Sequence, residues 1–116
     1  MAVRTLATQL RYVEEAHDVL GLTYRQVAAA IGADESTLHR WRAGETEPRS
    51  VFLSRMDALH EFQQELFDLV RPEAAREWLR TAVPALDSRR PLDLLEDGRI
   101  EPLTRMLMRM NLGIST

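Results

Sequence analysis

From Ser50 to Val70 the apolar positions do not keep to one face of a helix. Projected at roughly 100° per residue, Phe52, Leu53, Met56, Leu59, Phe62, Leu66, Phe67, Leu69 and Val70 fill more than half of the circumference. Asp57, Glu61, Glu65 and Asp68 take the narrow remainder. A helix with so wide an apolar arc has to be covered on two sides. The pattern therefore predicts a central helix over 50–70 between an N-terminal unit, 1–49, and a C-terminal unit, 71–116. Homodimerisation is a second way to supply one of the covers.

The remaining segments are shorter and carry clear start and stop signals. Leu6, Leu10, Val13, His17 and Leu20 share helical spacing, and Gly21 follows as a stop. Thr23 stands three residues before Gln26 in capping-box register, with Val27, Ala28 and Ile31 as an inner face and Gly32 as the end. Asp34 caps a third helix through about Ala43, with Leu38 and Trp41 inward and Gly44 closing it. Pro72 opens a helix to about Ala82 that Pro84 ends, and Pro91 opens a short one through Glu96 that stops at Gly98. A last helix over about Arg99 to Met110 sets Ile100, Leu103, Met106, Leu107 and Met110 on one side. No period-2 alternation and no internal repeat is present, so the expected fold is all-α.

Composition narrows the field. A chain of 116 residues, 45% apolar and 28% charged, can bury one modest core, or two small cores that share an element. No apolar run approaches the ~20 residues that span a bilayer. The first twenty residues carry acids in place of a signal peptide's apolar stretch, and a cytoplasmic protein without membrane contact is expected. With no cysteine, disulfides, thiolate catalysis and cysteine-bound zinc are excluded. The net charge of −3 places any nucleic-acid affinity in a local patch. All 15 basic residues are arginine, which we read chiefly as nucleotide bias in the source genome.

The stretch YRQVAAAIGADESTLHRWRAG, 24–44, follows the plan of a helix-turn-helix. Ala28 is small where two helices would cross, Gly32 takes the turn, and Val27, Ile31, Ala33, Leu38 and Trp41 supply buried contacts. Ser36, Thr37, His39, Arg40 and Arg42 are left on the outer face of the second helix, where Arg can grip guanine and Ser or Thr can meet bases or phosphates. The segment resembles the Xre-type, lambda-repressor-like helix-turn-helix, whose W-x-x-G ending is Trp41 to Gly44 here. The alternatives are an ordinary antiparallel helix pair, or a degenerate motif kept as a packing unit. Asp34, Glu35, Glu45 and Glu47 flank the reading face, and carboxylates oppose phosphate.

From Trp78 onward the order of Trp78, Leu79, Pro84, Leu86, Arg89, Arg90, Pro91, Leu92, Asp93, Leu94, Leu95, Gly98, Leu103, Leu107 and Gly113 resembles the C-terminal toxin-binding domain of the MbcA/ParS/Xre antitoxins. One departure is the linker AVPALDSRR, which lacks the glycine often found before the arginines. The resemblance implies an antitoxin paired with a cognate RES-domain toxin that consumes NAD, in a toxin-antitoxin hetero-oligomer. It also implies repression of the antitoxin's own operon through operator DNA. In that family the last residues enter the toxin's active-site cleft; here they would be around Asn111, Leu112, Gly113, Ile114, Ser115 and Thr116. The residues themselves add Arg89 and Arg90, free for a partner or for the acidic stripe of the central helix. Met106, Met108 and Met110 crowd the last helix, as adaptable partner contacts or as core filler.

Other chemistry is poorly supplied. His60-Glu61 begins like a zinc-protease motif, yet position 64 is Gln, so the second ligand is missing, and neither a metal site nor a cofactor is expected. The acidic stripe reads as a solvated face, and no nucleophile triad or phosphate loop is present, so no enzyme is expected. The rivals to the antitoxin reading are a transcription regulator whose C-terminal unit only dimerises, and a scaffold built on the central helix. The reading face yields a direct expectation: Arg40→Ala weakens binding to the chain's own promoter DNA about tenfold or more, the worth of one good base contact. Unchanged mobility-shift affinity in that variant removes Arg40 from the face.

Overall fold

The computed structural model describes residues 6–113; the expected tail residues Ile114, Ser115 and Thr116 lie outside the described residues. In chain order it forms α1 (Leu6–Leu20), α2 (Tyr24–Ile31), α3 (Glu35–Arg42), α4 (Ser50–Leu69), α5 (Pro72–Leu79), a 3-10 turn (Pro84–Leu86), α6 (Pro91–Glu96) and α7 (Ile100–Asn111). Among the described residues there is no strand, only an isolated antiparallel bridge between Val83 and Arg89. The fold is all-α, as the periodicity predicts.

The local signals act where they stand. Thr23 accepts from the Gln26 backbone N–H at 3.0 Å, and the Gln26 side chain accepts from the Thr23 N–H at 2.9 Å. Gly32 takes φ 83° and returns its N–H to the carbonyls of Ala28 and Ala29, a left-handed ending that favours glycine. Asp34 accepts from the Thr37 N–H at 2.7 Å, which fixes the start of α3.

The central helix is covered on two sides, by α1 and by α7. Met56, Leu59, Phe62 and Leu66 are completely or almost completely buried, with Phe52, Leu53, Phe67, Leu69 and Val70 packed around them. Buried apolar residues form a single cluster that runs from Val13 on α1 to Leu107 on α7. Of the two expected arrangements, the chain builds one core shared through α4.

Four details depart from the sequence pattern. The buried stripe of α1 is Gln9, Tyr12, Val13, Ala16 and Leu20, and Leu6, Leu10 and His17 stay half-buried, because α1 faces α4, α2 and α5 together. Tyr12 stacks on His60 of α4 at 3.8 Å, and Gln9 donates to Asp57 at 3.3 Å. Helix α5 stops at Leu79, short of Ala82, since Arg80 turns its guanidinium onto the Gly21 carbonyl at 2.9 Å and Thr81 bonds back to the Glu77 carbonyl. Met110 is half-exposed although it shares the inner spacing of α7. Arg89 and Arg90 are not free for the α4 stripe: Arg89 pairs with Asp97 at 2.8 Å and Arg90 with Asp93 at 2.7 Å.

The linker without a glycine adopts the backbone a glycine would favour. Asp87 and Ser88 have φ of 57° and 62°. The Val83 N–H donates to the Arg89 carbonyl at 3.0 Å and the Ser88 N–H to the Val83 carbonyl at 3.1 Å, which closes the loop on itself.

A polar and aromatic cluster locks the first three helices together. Glu14 of α1 accepts from Arg42 of α3 at 2.6 Å and from the Tyr24 hydroxyl at 2.7 Å. Arg42 lies over the Tyr24 ring at 3.9 Å, and His17 stacks on that same ring at 4.0 Å while donating to the Leu22 carbonyl. Burial pushes the Glu14 carboxyl up, but the Arg42 and Tyr24 hydrogen bonds outweigh it and hold the group below its ordinary value.

Gln63 is fully buried and neither amide atom meets a hydrogen-bond partner among the described residues. Replacing it with the similarly shaped methionine, Gln63→Met, raises urea-unfolding stability by about 1–2 kcal/mol, the desolvation it removes. A loss of stability would mean that the amide is satisfied in solution. Glu14, depressed in the folded state, stabilises the fold above the ordinary value of 4.5 and loses that contribution as pH falls through its lower folded value. Glu14→Gln therefore melts lower at pH 7, by up to about 1 kcal/mol for a partly solvated pair, and its melting temperature falls less steeply below pH 4.5.

Candidate functional site

Two surfaces emerge, at opposite ends of the chain. The first is the outer face of α3. Ser36 and Arg40 are exposed and Thr37 is half-buried beside them. Each is held by a neighbour: Ser36 donates to Asp34 at 3.0 Å, and Arg40 donates to the Thr37 hydroxyl at 3.1 Å. The Thr37 backbone and side chain, with Ser36, hold the Asp34 carboxyl below the usual aspartate range, so it stays ionised at the mouth of the helix.

His39 and Arg42 stand apart from that trio. Arg42 has only donors, so the His39 Nδ1 that it meets at 3.1 Å must accept. The His39 Nε2–H is then free to donate to Glu35 at 3.3 Å. Arg42 is also held by Glu14 and donates to the Tyr24 hydroxyl at 2.9 Å, so both side chains belong to the cluster that joins α3 to α1 and α2. Sequence reasoning missed Glu14 and Tyr24 altogether. The spacing of 28 residues between Glu14 and Arg42 gives no local signal.

The three histidines sit on three helices, yet His17 and His39 both contact Tyr24, at 4.0 and 5.4 Å. Among the described residues no group of three or more His, Asp or Glu is arranged to hold a metal ion. His60 lines an open groove with Ser54, Asp57, Glu61 and Glu65, and Glu15 lies 3.9 Å from its ring.

The second surface is the end of α7. Among the described residues, the exposed large apolar side chains are Val51 and three that follow one another here: Met108 at 41% exposure, Met110 at 52% and Leu112 at 74%. Met106 packs against the core, so one methionine of the three is filler and two face outward. Met110 edges a small apolar hollow with Leu66, Leu69, Val70, Trp78 and Leu107. Asn111 and Gly113 are exposed beyond it.

Arg89 and Arg90 lie just before α6 and are exposed, but each is engaged there. The Asp93 carboxylate accepts from the Arg90 backbone N–H at 3.0 Å as well as from its guanidinium, which starts α6. That pair holds Asp93 below the usual aspartate range. The structure thus places the two arginines at the turn that leads into α6, with Arg89 reaching across to Asp97 at its far end.

Comparison with known proteins matches both ends. Residues 4–70 match the model of a helix-turn-helix domain, and residues 64–113 match that of the antitoxin Xre/MbcA/ParS C-terminal toxin-binding domain. The two matches overlap on the last turns of α4. Mycobacterial cidal antitoxin MbcA, from Mycobacterium tuberculosis and Mycobacterium bovis, is 28% identical over 98% of each chain. A second Mycobacterium tuberculosis protein, named a probable mycobacterial cidal antitoxin, is 30% identical over 82% of this chain and 81% of its own. In the crystal structure of the Mycobacterium tuberculosis MbcT-MbcA toxin-antitoxin complex, a chain with 26% identity superposes with a TM-score of 0.69, covering 98% of this chain and all of that one. No helix among the described residues is long and apolar enough to cross a membrane. With its helix-turn-helix half and its toxin-binding half both matched, the chain belongs to the Xre/MbcA/ParS antitoxin family.

Proposed function

We propose that this antitoxin neutralises a cognate RES-domain, NAD-consuming toxin in the cytoplasm by carrying its C-terminal residues into the toxin's active-site cleft. The observation that carries the reading is the run of exposed apolar side chains, Met108, Met110 and Leu112, at the point where α7 hands over to the tail. Burying such side chains against a partner gains about 1.5–3 kcal/mol each when complete. The chain matches end to end with a protein whose solved structure is a toxin-antitoxin complex.

The inhibition needs no chemistry from this chain. Asn111 to Thr116 would act by occupying space that NAD requires, and α7 would act by holding them there. Arg89 and Arg90 would add charged contacts at the start of α6, each at the expense of its present carboxylate partner. The same chain would repress its own operon through Ser36, Thr37 and Arg40, with His39 and Arg42 holding α3 in place. Operator binding would proceed as a homodimer, and the toxin-bound form would be a hetero-oligomer. An intact, doubly capped helix-turn-helix supports this second activity.

Deletion of Gly113 to Thr116 separates the two activities. The shortened chain should lose most of its protection against NAD depletion when expressed with the toxin, while its mobility-shift affinity for promoter DNA stays within about twofold of the full chain, since ΔΔG between distant sites is close to additive. Full neutralisation by the shortened protein would rule out tail insertion. Operator binding without any toxin binding by the full chain would favour the plain transcription regulator.

A further inference from the structure

Arg55, on the central helix, makes contacts that neither half of the chain explains alone. Its guanidinium donates to the Ala30 carbonyl at the end of α2, to the Gly98 carbonyl between α6 and α7, and to the Glu101 carboxylate in the first turn of α7. These partners are 25, 43 and 46 residues away along the chain. A planar fork of five donors is suited to such a junction, and a lysine could not reach all three acceptors. The side chain is 23% exposed, so the contacts are partly shielded from water.

The junction is reinforced beside it. Gln26 of α2 donates to Glu96 of α6 at 2.9 Å. Gly98, at φ 75°, brings its backbone so near α2 that an added Cβ would lie 3.7 Å from the Ala29 carbonyl. The apolar stripe of Ile100, Leu103 and Leu107 decides which face of α7 is buried, but apolar burial is non-directional and leaves sliding and tilt loosely fixed. Directional bonds at the base of the helix fix both.

We infer that Arg55 is a positioning residue for toxin inhibition: it anchors the base of α7 and so sets where the far end of that helix, with Met110 and Leu112, is carried. This rests on the toxin-inhibition reading above. The lever is long enough to matter. At about 1.5 Å per residue, the helix carries its far end roughly 17 Å from the anchor, and a tilt of about 10° moves that end by about 3 Å. Misplacement by about 1 Å is already costly to a fitted site.

The experiment measures toxin affinity and residual NAD consumption for the full chain and full-length variants, with the cognate RES-domain toxin of the proposed pair as the probe. Arg55→Ala should weaken toxin binding about tenfold or more, with Arg55→Lys between it and the unaltered chain. Glu101→Gln, which removes one arm from an exposed position, should shift binding the same way by a few-fold. Arg76→Ala is the control. Arg76 donates to the Val19 and Asp18 carbonyls at the other end of the core, so its loss should lower the melting temperature while toxin affinity stays within about twofold.

A double-mutant cycle distinguishes aiming from general stiffening. Leu112→Ala should weaken binding about tenfold in the unaltered chain and less than about threefold in the Arg55→Ala background. Equal factors in both backgrounds, or Arg55→Ala and Glu101→Gln both within twofold of the unaltered chain, would overturn the inference about Arg55. Absence of toxin binding by the unaltered chain would instead overturn the inhibition reading, and the role of Arg55 with it.

Discussion

The apolar circumference of α4 is the constraint to which the other helices answer. A helix buried on one side would have let the two halves of the chain fold as neighbours. Here Met56, Leu59, Phe62 and Leu66 are buried between α1 on one flank and α7 on the other, so both halves spend the same residues on their cores. Losing one large side chain from such a position costs about 2–5 kcal/mol, against a total stability of about 5–15 kcal/mol for a domain. The helix-turn-helix and α7 are thus coupled by stability before any specific signal passes between them.

Arginine supplies the directional part of the same coupling. Arg76 and Arg80 reach from α5 to the last carbonyls of α1, at Asp18, Val19, Leu20 and Gly21. Arg55 does the same for the end of α2 and for the turn before α7. The final carbonyls of a helix have no partner within it, and cationic donors there also suit the negative end of the helix dipole. The all-arginine composition, readable in the sequence only as a bias, becomes a set of ties between helix ends and their neighbours. A compact ammonium would cap one carbonyl where these forks cap two.

What the sequence disclosed was what its local physics determines. The Thr23 and Asp34 caps act over three residues, and the wide arc of α4 is a property of one helix, so each could be read directly. The order of helices and the helix-turn-helix were legible for the same reason. Partners distant in sequence were not. The Glu14 pairing that ties Arg42 to α1, and the Arg55 junction, join residues whose proximity exists only after the core has formed. The end of α5 was misplaced because Pro84 is a strong stop, but the chain had already turned at Arg80 to reach the end of α1. In the linker, glycine's absence was visible while its consequence was not: Asp87 and Ser88 adopt positive φ because the Val83–Arg89 bridge closes the loop around them.

The two surfaces differ in what binding must first undo. On α3 the polar groups are already satisfied, Ser36 by Asp34, Arg40 by Thr37 and His39 by Glu35 and Arg42. A DNA contact there exchanges one hydrogen bond for another, and each exchange leaves only about 0.5–1.5 kcal/mol or less. Nearby Asp34 and Glu35 oppose the phosphates that usually dominate affinity. At the end of α7, Met108, Met110 and Leu112 have no such prior commitment, and their burial returns most of its free energy as binding. Any DNA contact by α3 would therefore gain little per hydrogen bond exchanged. The apolar end of α7 needs no such exchange, and its specificity depends on direction, which is what the base of the helix provides.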